Sequence, residues 1–193
     1  MKCFRVQITT RAGLRDARGE NLQRQAEALG IAGVERIAVS DLYFLEGTFD
    51  SADAARLADL LLCDPVVEDA TVTPLDDTGP EAEATGRQAV EVVLHPGVTD
   101  SVAENLLEGA RVAGIAGLAR AATGQRYEIS GRLEPDALAR LSTLFANPVI
   151  QSCAVNSRIA PPFTLLQPAD DTVELIPLTG ADGAGLEAIS RER

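Results

Sequence analysis

The chain has 193 residues, 46% of them hydrophobic, and 29 acidic residues against 17 basic ones, for a net charge of −12. That balance excludes a basic surface of the kind that grips nucleic acid or anionic lipid, since both are bound through cations. No apolar run approaches the roughly 18 residues of a spanning helix, and MKCFRVQITTR lacks an apolar signal core, so the chain is expected to be cytoplasmic, with no nucleic-acid or membrane partner.

Phe4–Ile8 alternates as a half-buried strand. The loop from Arg11 follows, with Asp16 placed to cap a helix over Ala17–Leu29, whose Leu22, Ala26 and Leu29 share a stripe. Gly30 stands where a left-handed residue closes a helix. Val34–Ser40 and Leu42–Gly47 read as two strands joined by a tight turn. Ala52–Leu62 reads as a second helix with Ala54, Leu57, Ala58 and Leu61 inward, ended by Asp64-Pro65, and Val66–Val72 as a last strand. Residues 76–87, acidic and rich in Gly and Pro, read as a linker. The same order then recurs as strand Ala89–Leu94, helix Ser101–Ala113, strands Leu118–Thr123 and Arg126–Ser130, helix Pro135–Ala146 and strand Val149–Val155. The tail carries an extended stretch (Ile159–Gln167), a strand candidate (Val173–Ile176) and a helix candidate (Ala181–Arg193) that stops without a cap, which suggests a chain that continues.

The recurrence is literal. An 84-residue shift lays Gly13–Gly47 on Gly97–Gly131 without a gap, matching Asp16 with Asp100, Glu20-Asn21-Leu22 with Glu104-Asn105-Leu106, Gly30-Ile31-Ala32-Gly33 with Gly114-Ile115-Ala116-Gly117, and Tyr43 with Tyr127. After a one-residue slip, Asp64-Pro65-Val66-Val67 falls on Asn147-Pro148-Val149-Ile150. The expected fold is α+β: two tandem ferredoxin-like β-α-β-β-α-β units, residues 1–75 and 88–156, forming a covalent pseudo-dimer, with an extended tail over 157–193. A lone unit of about 70 residues is marginal and leaves one sheet face bare, so each copy should extend or cover the other's sheet.

Catalytic chemistry is thin. The chain has one Lys (Lys2) and one His (His95), so no P-loop Lys follows a Gly-rich stretch and no Gly-x-Ser-x-Gly elbow accompanies His95. Cys3, Cys63 and Cys153 are too scattered for a disulfide framework or a zinc site and read as small buried hydrophobes. Tyr43 and Tyr127 read as packing on the sheet face at the contact between the copies, and Arg11, Arg15 and Arg18 as a solvated or partner-facing loop without Arg counterparts in the second copy. Catalytic, cofactor and metal residues are therefore expected to be absent. Gly13, Asp16, Gly19, Tyr43, Gly97, Asp100 and Tyr127 are the structural or interface candidates.

The unit resembles the PurS family, the small subunit of phosphoribosylformylglycinamidine synthase. The resemblance rests on the element order, on Asp16-Ala17-Arg18-Gly19 followed by Glu20 and a helix ending at Leu29-Gly30, and on Asp64-Pro65-Val66-Val67-Glu68 with its partner Asn147-Pro148-Val149-Ile150-Gln151. It covers residues 3 to 156. Asp100-Ser101-Val102-Ala103 departs from it, with Ala in place of Gly, which weakens any expectation that the two loops do the same job. The tail is similar to the entry into the synthetase linker of long-form enzymes, where a PurS-like pair is fused at the N-terminus. The resemblance implies a part without activity of its own, a subunit or N-terminal region of an ATP- and glutamine-dependent ligase. It implies synthetase and glutaminase portions as partners, between which this part bridges and helps ammonia pass. It implies ATP and magnesium for the whole enzyme and no cofactor in this chain, and further homo-oligomerisation is compatible with it. The alternative is an ACT-like tandem regulatory module that binds a small amino acid at His95-Pro96-Gly97-Val98-Thr99-Asp100.

Overall fold

The computed structural model describes residues 1–75, 87–134, 136–163, 176, 179–180 and 182–191. Strand β1 (Lys2–Thr10) leads to helix α1 (Ala17–Ala28), with Asp16 in extended conformation as its N-cap, and Gly30 follows at φ +68°. Asp50 caps α2 (Ser51–Leu57), which widens into a π-helical turn over Ala58–Leu62 before β3 (Glu68–Pro74). The second half runs β4 (Arg87–Leu94), α3 (Ser101–Val112), β5 (Leu118–Gly131), α4 (Ala137–Phe145) and β6 (Gln151–Val155). Helix α5 (Gly183–Arg191), inside the helix expected in the tail, buries no residue. The expected linker over 76–87 falls outside the described residues except for Arg87, as does Val173–Ile176 except for Ile176.

One expectation is overturned in both halves. No turn divides the middle strands. Val34–Gly47 is a single strand, β2, and Leu118–Gly131 is its counterpart β5. Ser40-Asp41-Leu42 imitates a turn signal, yet Asp41 stands in mid-strand with its carboxylate on Arg18. Gly124 sits in mid-strand because a Cβ there would lie 2.6 Å from the Val92 carbonyl oxygen.

All six strands join one antiparallel sheet in the order β3-β1-β2-β5-β4-β6. The two long strands pair along their whole length. Only the C-terminal part of β2 touches β1, through Lys2–Gly47 to Thr9–Ser40, and only the C-terminal part of β5 touches β4. Each half is thus completed by the other. Next to the β2 segment that follows Ser40 lies not a returning hairpin strand but the start of β5.

Helix packing follows the same exchange. Leu106 and Ala110 of α3 join Phe4, Val6 and Ile8 of β1 and Ala54, Leu57 and Ala58 of the first half. Ala26 of α1 joins Val90 and Val92 of β4, Ile129 of β5 and Leu141 of α4. Leu61, expected inward, is exposed. The opposite sheet face is not bare: Leu42, Phe44, Val93 and Ala122 are buried there with Leu75, Ile159 and Phe163. Asn156, at φ +53°, ends β6 by accepting from the Ala89 N–H through its side-chain oxygen, and the chain then crosses that face.

Candidate functional site

The repeated Asp of the loop motif is a clasp. In the first half, one Asp16 oxygen accepts from the Gly19 N–H at 3.0 Å and the other from the Val39 N–H of β2 at 2.7 Å. Gly19 is required because a Cβ would stand 2.0 Å from the Ile37 carbonyl oxygen. In the second half Asp100 accepts from the Ala103 N–H at 2.9 Å and from Thr123 N–H and Oγ1 at 2.7 and 2.9 Å. The Ala in place of Gly leaves the capping contacts of the aspartate unchanged. The two aspartates do the same job, and what they hold is a helix start against a long strand. Gly13 and Gly97 adopt φ +88° and +89° with open space beside them, so their need is conformational.

The repeated Gly-Ile-Ala-Gly phrase is a seam between halves. Gly33, at φ +82°, lies so close to Arg132 that a Cβ would meet its carbonyl oxygen at 1.8 Å. Gly47 meets the Gly117 carbonyl oxygen in the same manner at 2.0 Å, and the Thr48 N–H donates to that oxygen at 2.9 Å. Ile31 and Ile115 between the glycines are buried, each in a core cluster that holds strands of the other half.

On the far sheet face lies a buried ionic group that the sequence reading missed. Glu91 of β4 is fully buried. Arg5 of β1 donates to its two oxygens at 2.9 and 2.6 Å, Arg126 of β5 donates at 2.6 Å, and the Ile159 N–H of the tail donates at 2.9 Å. Burial alone would raise the Glu91 carboxyl pKa, but the hydrogen bonds and charge of Arg5, the Ile159 amide and Arg126 hold it below its ordinary value. The available signal was one carboxylate inside the apolar run Ala89-Val90-Glu91-Val92-Val93. The group ties β1, β4, β5 and the tail together, which suits structure rather than chemistry.

The remaining candidates are dispersed. Tyr127 stacks on Phe145 with centroids 4.1 Å apart and donates its hydroxyl to Gln125 at 2.5 Å, and burial pushes its pKa up to about 12. Tyr43 is half-buried against the first cluster. Both pack on the helix-bearing sheet face, where Tyr43 stands opposite Thr123 and Tyr127 opposite Val39. Arg11, Arg15 and Arg18 are each paired, with Asp69, Glu20 and Asp41. His95, the counterpart of Arg11, accepts from the Ser152 hydroxyl at Nδ1 (2.8 Å) and donates from Nε2 to the Pro148 carbonyl at 3.2 Å, the tautomer that satisfies both. Among the described residues, no carboxylate backs this Ser–His contact. Cys3 and Cys63 are half-buried and Cys153 is exposed, so the expectation of three buried thiols fails. Among the described residues, no group of three or more His, Cys, Asp or Glu gathers as a metal site, and no helix is long and apolar enough to cross a membrane.

One cleft of about 320 Å³ opens on the helix-bearing face, between the start of α3 and the middle of the sheet, lined by Asp41, Thr99, Ser101, Val102, Gln125 and Gln151 among others.

No curated protein matches the chain. Residues 3–75 match the PurS family model, described as phosphoribosylformylglycinamidine (FGAM) synthase. That stretch, from β1 through β3 with its Asp16–Gly19 clasp, is a PurS-like domain.

Proposed function

We propose that this chain is a non-catalytic part of FGAM synthase in purine biosynthesis, a tandem pair of PurS-like units that holds glutaminase and synthetase portions together so that ammonia passes between them. The family match over residues 3–75 is the observation that carries it. The extension to the second half is supported by the sheet register. Asp41 stands opposite Gln125, the residue 84 positions on, as a twofold through that pair requires. Phe4 opposite Leu45 recurs as Gln88 opposite Ile129, and Val6 opposite Val72 recurs, one residue short, as Val90 opposite Val155. On this reading the units are 1–75 and 88–156, joined by a linker over 76–87, with a tail over 157–193, and they work in the cytoplasm.

The bridging role rests on rigidity without catalytic groups. One continuous sheet with exchanged helices is a stiff body, and a stiff body can hold two partners at fixed separation. Its acidic surface favours basic partner patches with a salt-sensitive association rate. The reaction's ATP and magnesium belong, on this proposal, to the synthetase. The test is FGAM synthesis by separate synthetase and glutaminase portions, with and without this chain, using glutamine or free ammonia. Rescue of the glutamine reaction alone is expected. Equal rescue with both nitrogen sources would point to a folding role and overturn bridging.

A further inference from the structure

The turns that open the two edge strands, β3 and β6, are one structure built twice, at opposite ends of the strand order. Ahead of β3, the Val66 N–H donates to Asp64 Oδ1 at 2.9 Å, the Asp64 N–H to Glu68 Oε2 at 2.9 Å, and the Glu68 N–H to the Asp64 carbonyl at 2.8 Å. Ahead of β6, the Val149 N–H donates to Asn147 Oδ1 at 3.0 Å, the Asn147 N–H to Gln151 Oε1 at 2.8 Å, and the Gln151 N–H to the Asn147 carbonyl at 2.8 Å. Arg11 and His95 brace the two turns alike. Their main-chain N–H groups donate to the Val67 and Ile150 carbonyls, and their side chains donate to the Val66 and Pro148 carbonyls.

Each turn holds two aliphatic side chains in solvent. Val66 and Val67 are 72% and 42% exposed, Val149 and Ile150 80% and 41%. One exposed aliphatic residue needs no explanation. A β-branched pair in a turn, where Gly, Asn, Asp and Ser are the usual occupants, exposed to the same degree in both halves, makes a shaped apolar tip. Its hydrogen bonds fix the backbone before any partner arrives, so little ordering entropy opposes contact.

The tips share shape but not charge. Asp64, Glu68 and Asp69 collar the first, and their counterparts at the second are Asn147, Gln151 and Ser152. Burial first, and then the charges of Glu68, Asp59 and Asp69, push the Cys63 thiol pKa up, so these carboxylates act on one place. Arg11 pairs with Asp69, which leaves acid in excess around the first tip. Protein interfaces have an apolar core and a polar rim. An apolar tip with an anionic collar complements an apolar socket edged with Lys or Arg.

We propose that Pro65-Val66-Val67 is a docking tip for a protein partner that presents an apolar socket edged with basic side chains, a contact that the neutral tip Pro148-Val149-Ile150 does not make. The inference rests on the bridging reading, which supplies the two partner portions to try. The test is titration of the full chain against the separate glutaminase and synthetase portions at about 0.1 M and about 1 M salt, which cuts the reach of charge from about 10 Å to about 3 Å. One portion should bind, and more weakly at high salt. Asp64→Asn with Glu68→Gln and Asp69→Ser copies the second tip and keeps the side-chain acceptors of the turn. It should weaken that contact about tenfold at low salt, the scale of three exposed ion pairs, and flatten its salt dependence. Val66→Ser should weaken it about tenfold at both salts, and Val149→Ser should leave it unchanged, with thermal midpoints as in the parent throughout. Binding of one portion alone, with these effects, would keep the tip and remove bridging. Binding of neither portion removes both. The tip alone is overturned, and bridging left to another surface, if a portion binds while the collar variant and Val66→Ser match the parent, or if Val149→Ser weakens the same contact equally.

Discussion

Glu91→Leu isolates the energetics of the ionic group on the far sheet face. The substitution removes the shared acceptor of Arg5 and Arg126, whose side chains are 5% and 9% exposed, and leaves Arg126 its pair with Glu128 and Arg5 a 3.5 Å contact with Gln7 Oε1. It also strands the Ile159 N–H. Breaking a buried pair by deleting one partner costs about 3–5 kcal/mol, because the surviving charge stays desolvated. Against a total stability of roughly 5–15 kcal/mol this is a large share. At about 2–4 °C per kcal/mol for a chain of this size, the midpoint should fall by roughly 6–20 °C. Urea and thermal denaturation at pH 7 read it directly. The triple variant Arg5→Met, Glu91→Leu, Arg126→Met should recover most of the loss, since apolar replacement of a whole buried group is often neutral. The pH dependence has a fixed sign. The folded-state pKa of Glu91 lies below its unfolded value, so its contribution is present above the unfolded pKa and is lost as pH falls through the folded one. Glu91→Leu should lack that part of the acid loss. A cost under about 1 kcal/mol, the level of an exposed pair, would show that water reaches the arginines and would refute the reasoning.

Gly33→Ala should cost at least about 2 kcal/mol, through both its left-handed backbone and the Arg132 carbonyl in its path. Gly30→Ala, left-handed but with open space, should cost only about 1 kcal/mol, and equal urea midpoints for the two would remove the seam from the account. Asp16→Ala and Asp100→Ala should each lose about 1–3 kcal/mol by stranding a helix-start amide and a strand amide, and a difference above about 2 kcal/mol between them would deny the shared role. In a spectrophotometric titration Tyr127 should ionise near pH 12. Because its folded pKa is raised, its contribution to stability is full below about pH 10 and lost between there and about pH 12, and an ordinary phenol titration throughout would contradict the Tyr127 burial.

Much of this was legible in the residues. Helix starts at Asp16 and Asp100, the left-handed Gly30 and the apolar stripe through Ala26 are local facts, set by capping and periodicity, and local facts are what a sequence displays. The failures are non-local. Ser40-Asp41 has the composition of a turn, yet Asp41 is extended, paired with β1 on one side and β5 on the other and with Arg18 on its carboxylate. The Gly-Ile-Ala-Gly phrase was visible as a repeat, but its meaning lies in a carbonyl from the opposite half. Glu91 reads as a strand exception until Arg5, 86 positions away, arrives beside it. The cleft was invisible because its lining is gathered from positions as far apart in the chain as Asp41 and Gln151.

Asp41 and Gln125 face each other across the long strands, one shift of 84 apart. In an assembly of two identical polypeptides, a residue at that point meets its own image, and any mutation appears on both sides at once. An aspartate there would confront an aspartate, with like charges set directly opposite. Joining the copies into one polypeptide lifts that restriction. Each side can change alone, so one keeps a carboxylate locked to Arg18 while the other becomes an amide. On the proposed reading of two tandem units, covalent linkage gives two related surfaces the freedom to become different, and a bridge between unlike partners would use that freedom.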